Sequence, residues 1–130
     1  MIPPRLAELI AAEEGYGIPG TLPTRNHNPG DLRHSPHSFH SSDAPDAIGQ
    51  IDTPADGWAD LVRQLALYAD PQHHPGMTVA QAIYDWAPPS ENNSAGYLAY
   101  VVKGLGVSSD TLLVDAMLIP GIGAYADEPA

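Results

Sequence analysis

There is no cysteine in these 130 residues. Disulfides and thiolate metal sites are therefore excluded, and synthesis in a reducing compartment fits. Cations are scarce as well: five Lys and Arg stand against sixteen Asp and Glu, a formal charge of −11. Nucleic-acid binding needs clustered cations against phosphates, so this balance argues against such a partner. No apolar run reaches the roughly 20 residues of a membrane span. Met1-Ile-Pro-Pro-Arg5 has neither a basic stretch nor a following apolar one, so no secretory signal is expected. Internal repeats and low-complexity linkers are missing too.

What the chain does contain is helix punctuation around enough apolar residues, 43%, for the core of one domain over 1–130. Thr53-Pro-Ala-Asp56 offers a hydroxyl N-cap, a first-turn proline and an acid three residues on. Trp58, Leu61, Val62, Leu65 and Ala69 follow at helical spacing, with Trp58 read as a core aromatic rather than a sugar platform. Thr78-Val-Ala-Gln81 is a capping box, and Ile83 and Trp86 continue its helix until Pro88-Pro89 stops it. Asn93 or Ser94 opens a helix through Tyr97, Leu98, Val101 and Val102 to Gly104. Ser108-Ser-Asp-Thr111 is expected to open another, holding Leu112, Leu113, Ala116 and Met117 and closing before Pro120. Ala47–Ile51 reads as a short strand, and Gly121–Ala130, Gly-rich and acidic, as a loosely ordered tail.

The first helix carries the main chemical signal. Leu6 and Ile10 are four apart on one face, and the next residue on that line is Glu14, followed by the stop residue Gly15. A carboxyl on a core-facing stripe is partly desolvated, which raises its pKa and keeps the proton a general acid needs. The plainer alternative is a surface glutamate near a helix end. Glu13 lies one step off the stripe and is expected to be solvated. Arg25-Asn-His-Asn-Pro-Gly-Asp-Leu-Arg33 then packs short polar side chains around a Pro-Gly turn, a surface suited to sugar hydroxyl and acetamido groups.

Glu14-Gly-Tyr16, the spacer Ile18–Pro23 and Arg25–Leu32 together resemble phage-type peptidoglycan hydrolases of the lysozyme-like superfamily. Trp86-Ala-Pro-Pro-Ser-Glu-Asn-Asn-Ser94 with Tyr97 is similar to the second signature of that group, so the resemblance spans residues 6 to about 107. It implies an α+β, mainly α, lysozyme-like fold, with a small irregular β-region at Leu32-Arg33, Phe39 and Ile48–Ile51. It implies a glycosidase that cuts the β-1,4 bond between N-acetylmuramic acid and N-acetylglucosamine, with Glu14 as the acid. The candidate substrate-binding side chains are Arg25, Asn26, Asn28, Arg33, Gln50, Asn93 and Tyr97. The Tyr97 hydroxyl is placed to hold either Glu14 or substrate. No cofactor or metal is expected. The partner would be the glycan strand, the enzyme a monomer, held in the host cytoplasm until release or carried on a virion.

A second carboxylate could be Asp31, Asp43, Asp46 or Asp52 by reach. The resembling motif often has Asn at the Asp31 position, and some superfamily members use one glutamate with the substrate's own acetamido group or hydroxyl. Hydrolysis and the transglycosylase reaction that leaves an anhydro sugar therefore both stay open. Two other classes stand beside the glycosidase. One is a lysozyme-like module that grips glycan, or builds a phage particle, without cutting. The other is a zinc amidase using His34-x-x-His37-x-x-His40, with His27 or His73-His74, although such sites usually fix histidines on strands or as a helical i, i+4 pair.

Overall fold

The helix that carries Glu14 is buried around most of its circumference. In the computed structural model, which describes residues 2–40 and 47–128, α1 (Arg5–Glu14) hides Leu6, Ala7, Glu8, Leu9, Ile10 and Ala11. It ends as its sequence predicts. Gly15 takes a left-handed φ of 89°, and the Tyr16 amide reaches back to the Ala11 carbonyl at 2.9 Å. The remaining helices are α2 (Leu22–Arg25), α3 (Pro54–Ala69), α4 (Val79–Trp86), α5 (Ser94–Leu105) and α6 (Leu113–Ala116). The described chain is thus mainly helical.

Helices α5 and α3 pack on α1, and α4 packs on α5 and α6. Leu6, Ile10, Leu61, Leu65, Ile83, Val101 and Leu113 fill the space between them. Trp58 belongs to this core, edge-on to Tyr16 at 5.5 Å. Two glycines set how closely elements approach. A Cβ on Gly104 of α5 would sit 2.4 Å from Leu9 of α1. One on Gly57 of α3 would sit 1.9 Å from the His27 carbonyl oxygen, so the 26–31 loop can lie against α3 only because Gly57 has no side chain. The three expected caps form: Thr53 accepts from the Asp56 amide, Thr78 and Gln81 close their box, and Asn93 accepts from the Gly96 amide.

Two expected features differ. No helix starts at Ser108, because the Ser109 and Thr111 carbonyls accept from the Ala80 and Val79 amides at 2.9 Å, satisfying the exposed first turn of α4. Leu112 instead pairs with Thr78, and only the short α6 follows. The expected β-region is likewise reduced to an antiparallel bridge, Phe39 with Gln50. It is strapped by Gly49 N–H to the Leu32 carbonyl and Ile51 N–H to the Asn26 carbonyl, both at 2.9 Å.

The tail also departs from expectation, at least through Glu128. Pro120 pairs with Pro4, and the buried Glu8 carboxylate accepts backbone N–H bonds from Ile122, Gly123 and Ala124 at 2.9–3.0 Å. Tyr125 then stacks on Tyr16 and Trp58, and Glu128 accepts from the Tyr16 hydroxyl and from Trp58 Nε1. The glycines that made this stretch look loose are what let its backbone wrap a carboxylate: a Cβ on Gly121 would sit 2.9 Å from Glu8 Cδ, and Gly123 takes a φ of 76°. Among the described residues no helix is long and apolar enough to cross a membrane.

Burial pushes the Glu8 carboxyl up, but its hydrogen bonds from Ile122, Ala124, Arg5 and Gly123 outweigh that and hold it below its usual value of 4.5. A lowered carboxyl stabilises the fold fully above the unfolded value and loses that contribution as pH falls through the folded one. Glu8→Ala orphans three backbone donors and should destabilise the domain by about 2–4 kcal/mol. Urea unfolding at pH 7 reads this loss, and the gap between variant and wild type should narrow below about pH 4.

Candidate active site

Glu14 opens onto a cleft of about 560 Å³. The C-terminus of α1 brings Glu14. The 30–34 segment brings Asp31, Arg33 and His34. α3 adds Gln64 and Tyr68, and the end of α4 adds Asp85 and Trp86. Glu91 and Asn92 come from the turn before α5.

Glu14 is half-buried, and the Tyr97 hydroxyl donates to its Oε2 at 2.8 Å. Tyr97 is itself buried, one turn into α5. Burial raises the Glu14 carboxyl. The Tyr97 hydrogen bond opposes this, the charges of Asp31 and Glu13 add to it, and the net direction is up. Tyr97 is pushed up as well, first by its burial and then by the Glu14 charge, so its phenol stays a donor. Glu13 is exposed, as its place off the stripe predicts.

Of the second carboxylates expected by reach, Asp31 lines the cleft, as do Asp85 and Glu91. Asp31 adopts a φ of 52°, the left-handed region that Asp tolerates better than most residues. Its Oδ1 is hidden from solvent and has no hydrogen-bond partner among the described residues. Burial raises its carboxyl, against the pull of Arg33. Of the other candidates, Asp52 is exposed and does not line the cleft. Asp43 and Asp46 lie outside the described residues.

The predicted substrate loop is corrected by its hydrogen bonds. Asn28 is fully buried. Its Nδ2 donates to the Leu32 and Gly49 carbonyls at 2.8 and 2.9 Å, and its Oδ1 accepts from the Leu32 amide at 3.0 Å. It is a brace that fixes the Pro29-Gly30-Asp31 turn, with no atom left for a sugar. Asn93 is spent as the α5 cap. Gln50 sits in the bridge to Phe39, the Asn26 carbonyl holds Ile51, and Arg25 is exposed at the end of α2; none of them lines the cleft. Arg33 does line it.

The histidines are dispersed into separate contacts. His37 Nδ1 lies 2.6 Å from the buried Asp60 carboxylate, which also accepts from Ser35 Oγ at 2.5 Å and the His37 amide at 2.9 Å. His34 and His40 stack at 4.7 Å, His27 meets the Ile51 carbonyl, and His73 pairs with Asp70. Among the described residues no three His, Cys, Asp or Glu side chains are grouped to hold a metal ion.

Sequence reasoning missed Gln64, Tyr68 and Asp85 as lining, whereas Glu91 and Asn92 lie in the Trp86–Ser94 stretch that carries the second part of the resemblance. A signal existed for two of them: Gln64 and Tyr68 are four apart on α3, on the line of the buried Leu61. Comparison of the chain with protein-family models, with curated proteins and with solved structures finds no match.

Asn28→Ala would leave the Leu32 amide and two carbonyls without their partner in a buried setting. The expected cost is about 2–3 kcal/mol, read as a lower urea midpoint. A midpoint equal to wild type, with glycan binding lost instead, would restore the substrate-contact reading.

Proposed function

We propose that this protein is a peptidoglycan glycosidase of lysozyme-like fold, with Glu14 as general acid at the bond between N-acetylmuramic acid and N-acetylglucosamine. The observation that carries the reading is the Glu14 carboxyl: half-buried at the end of α1, facing a cleft, and gripped on one oxygen by a buried phenol. Tyr97 occupies Oε2, which leaves Oε1 to carry the proton toward a glycosidic oxygen. As that proton leaves, the new carboxylate keeps the Tyr97 hydrogen bond, which strengthens with charge. The acid is therefore helped more in its spent state than in its loaded one, which favours transfer. Burial favours the protonated form of the free enzyme.

Departure of the leaving sugar creates an oxocarbenium-like centre. Asp31, on the loop braced by Asn28, is the cleft carboxyl we assign to that centre. Water attack would yield reducing ends and attack by the sugar's own hydroxyl would yield anhydro-muramic ends, so mass analysis of the products separates the two outcomes.

Glu14→Gln is nearly isosteric and removes the transferable proton, so lysis of purified cell walls should fall about 10²–10⁴-fold. Glu13→Gln should stay within a few-fold of wild type. Full activity in Glu14→Gln overturns the mechanism, and a wild type inert on every wall tried leaves a non-cutting glycan binder. Tyr97→Phe tests the partner. Its hydrogen bond lowers the Glu14 pKa, so its loss raises that pKa. A general acid must stay protonated, so the alkaline limb of the pH–rate profile should move to higher pH while the maximal rate drops.

A further inference from the structure

The chemistry of the cleft is lopsided. Glu14, Asp31, Asp85 and Glu91 line it, against Arg33 as the one Lys or Arg. Two helices also end there, α1 at Glu14 and α4 at Trp86, and neither carries a basic residue in its last turn. Both therefore turn carbonyl ends toward the cleft, and helix C-termini favour cations. Tyr68 and Trp86 stand edge to face at 6.0 Å and 70°, and Asp85 sits beside Trp86 in the same wall. Tyr68 and Asp85 line the same cleft, and the Tyr68 phenol is raised by its burial and then by the Asp85 charge. Among the described residues, His34 also lines the cleft, and the His74 ring meets Tyr68 at 5.3 Å without lining it. Opposite, Asp31 Oδ1 lacks a donor.

We infer that the Asp85–Tyr68–Trp86 wall is a subsite for a primary ammonium group on the substrate. A carboxylate beside aromatic faces holds an alkylammonium by a charge-assisted hydrogen bond and by cation–π attraction. The inference rests on the glycosidase reading and narrows it to glycan that carries free amines. Those amines can be on N-deacetylated glucosamine or on the diamino acid of a stem peptide. A neutral acetamido group offers one N–H donor there, an ammonium three and a full charge. The net charge fits as well. A chain at −11 is repelled by fully acetylated, carboxylate-bearing glycan and less so by glycan with free amines.

Calorimetric titration of Glu14→Gln, which binds without cutting, tests this with two matched pairs. One is a glucosamine hexamer against an N-acetylglucosamine hexamer. The other is a muropeptide with a free side-chain amine against the same muropeptide N-acetylated. In at least one pair the charged form should bind about tenfold tighter or better, and which pair shows it assigns the amine to sugar or to peptide. Adding Asp85→Asn should shrink that gap to within about threefold; Asp85 is exposed, and a thermal melt checks that the variant is folded. Equal binding of charged and acetylated forms in both pairs overturns the subsite, as does a gap undiminished in Asp85→Asn. Neither result touches the glycosidase reading, which stands or falls on wall lysis by wild type and Glu14→Gln.

Discussion

A helix buried on nearly every side is a poor place for a carboxylate, and of the three that α1 carries only Glu13 is exposed. Glu8 is wholly enclosed and Glu14 half so. The domain treats them in opposite ways. Around Glu8 it gathers three backbone amides and Arg5, enough to keep the charge. Around Glu14 it provides one phenol and leaves the rest to the cleft, so the carboxyl tends to keep its proton. The contrast comes from the number of donors. Several hydrogen bonds outweigh burial and lower the Glu8 carboxyl, whereas one does not and Glu14 is raised. A lowered carboxyl at one end of α1 and a raised one at the other are two answers to the same desolvation problem.

The brace at Asn28 extends this logic. The proposed role of Glu14 requires an opposing wall held at a fixed distance, since reacting groups tolerate little misplacement. Asn28 ties Leu32 to Gly49, the Asp60 carboxylate ties Ser35 and His37 to α3, and Gly57 lets the 26–31 loop close on that helix. The wall is almost without regular strand among the described residues, so side chains do the fastening that a sheet ladder would do elsewhere.

The sequence exposed whatever depended on local rules. Caps at Thr53, Thr78 and Asn93, the Gly15 stop and the inward line Leu6–Ile10–Glu14 all follow from spacing. Tyr97 as a partner of Glu14 was one of two readings that its place near the start of a helix allowed. What stayed hidden were pairings across long separations. Glu8 looks like any first-turn acid until residues 122–124 arrive, and Asp60 like any helix-surface acid until Ser35 and His37 do. Asn28 misled for the same reason: short amides suit sugars and turn braces equally, and only the neighbours decide. The missing helix at Ser108 was lost to a neighbour too, because α4 takes its carbonyls.

The tie between Glu8 and residues 122–124 also sets an order of assembly. The two partners are 114 to 116 positions apart, so the first helix made is among the last to be satisfied. Contacts of such separation form only after the intervening chain has been ordered. On the ribosome, α1 carries an acid with Arg5 as its partner until residues 122–124 follow. Its burial against α3 and α5 leaves Glu8 desolvated and short of three donors until Ala124 has emerged. The cleft, at the far end of that helix, therefore rests on an element that is fully satisfied only once residues 122–124 are in place.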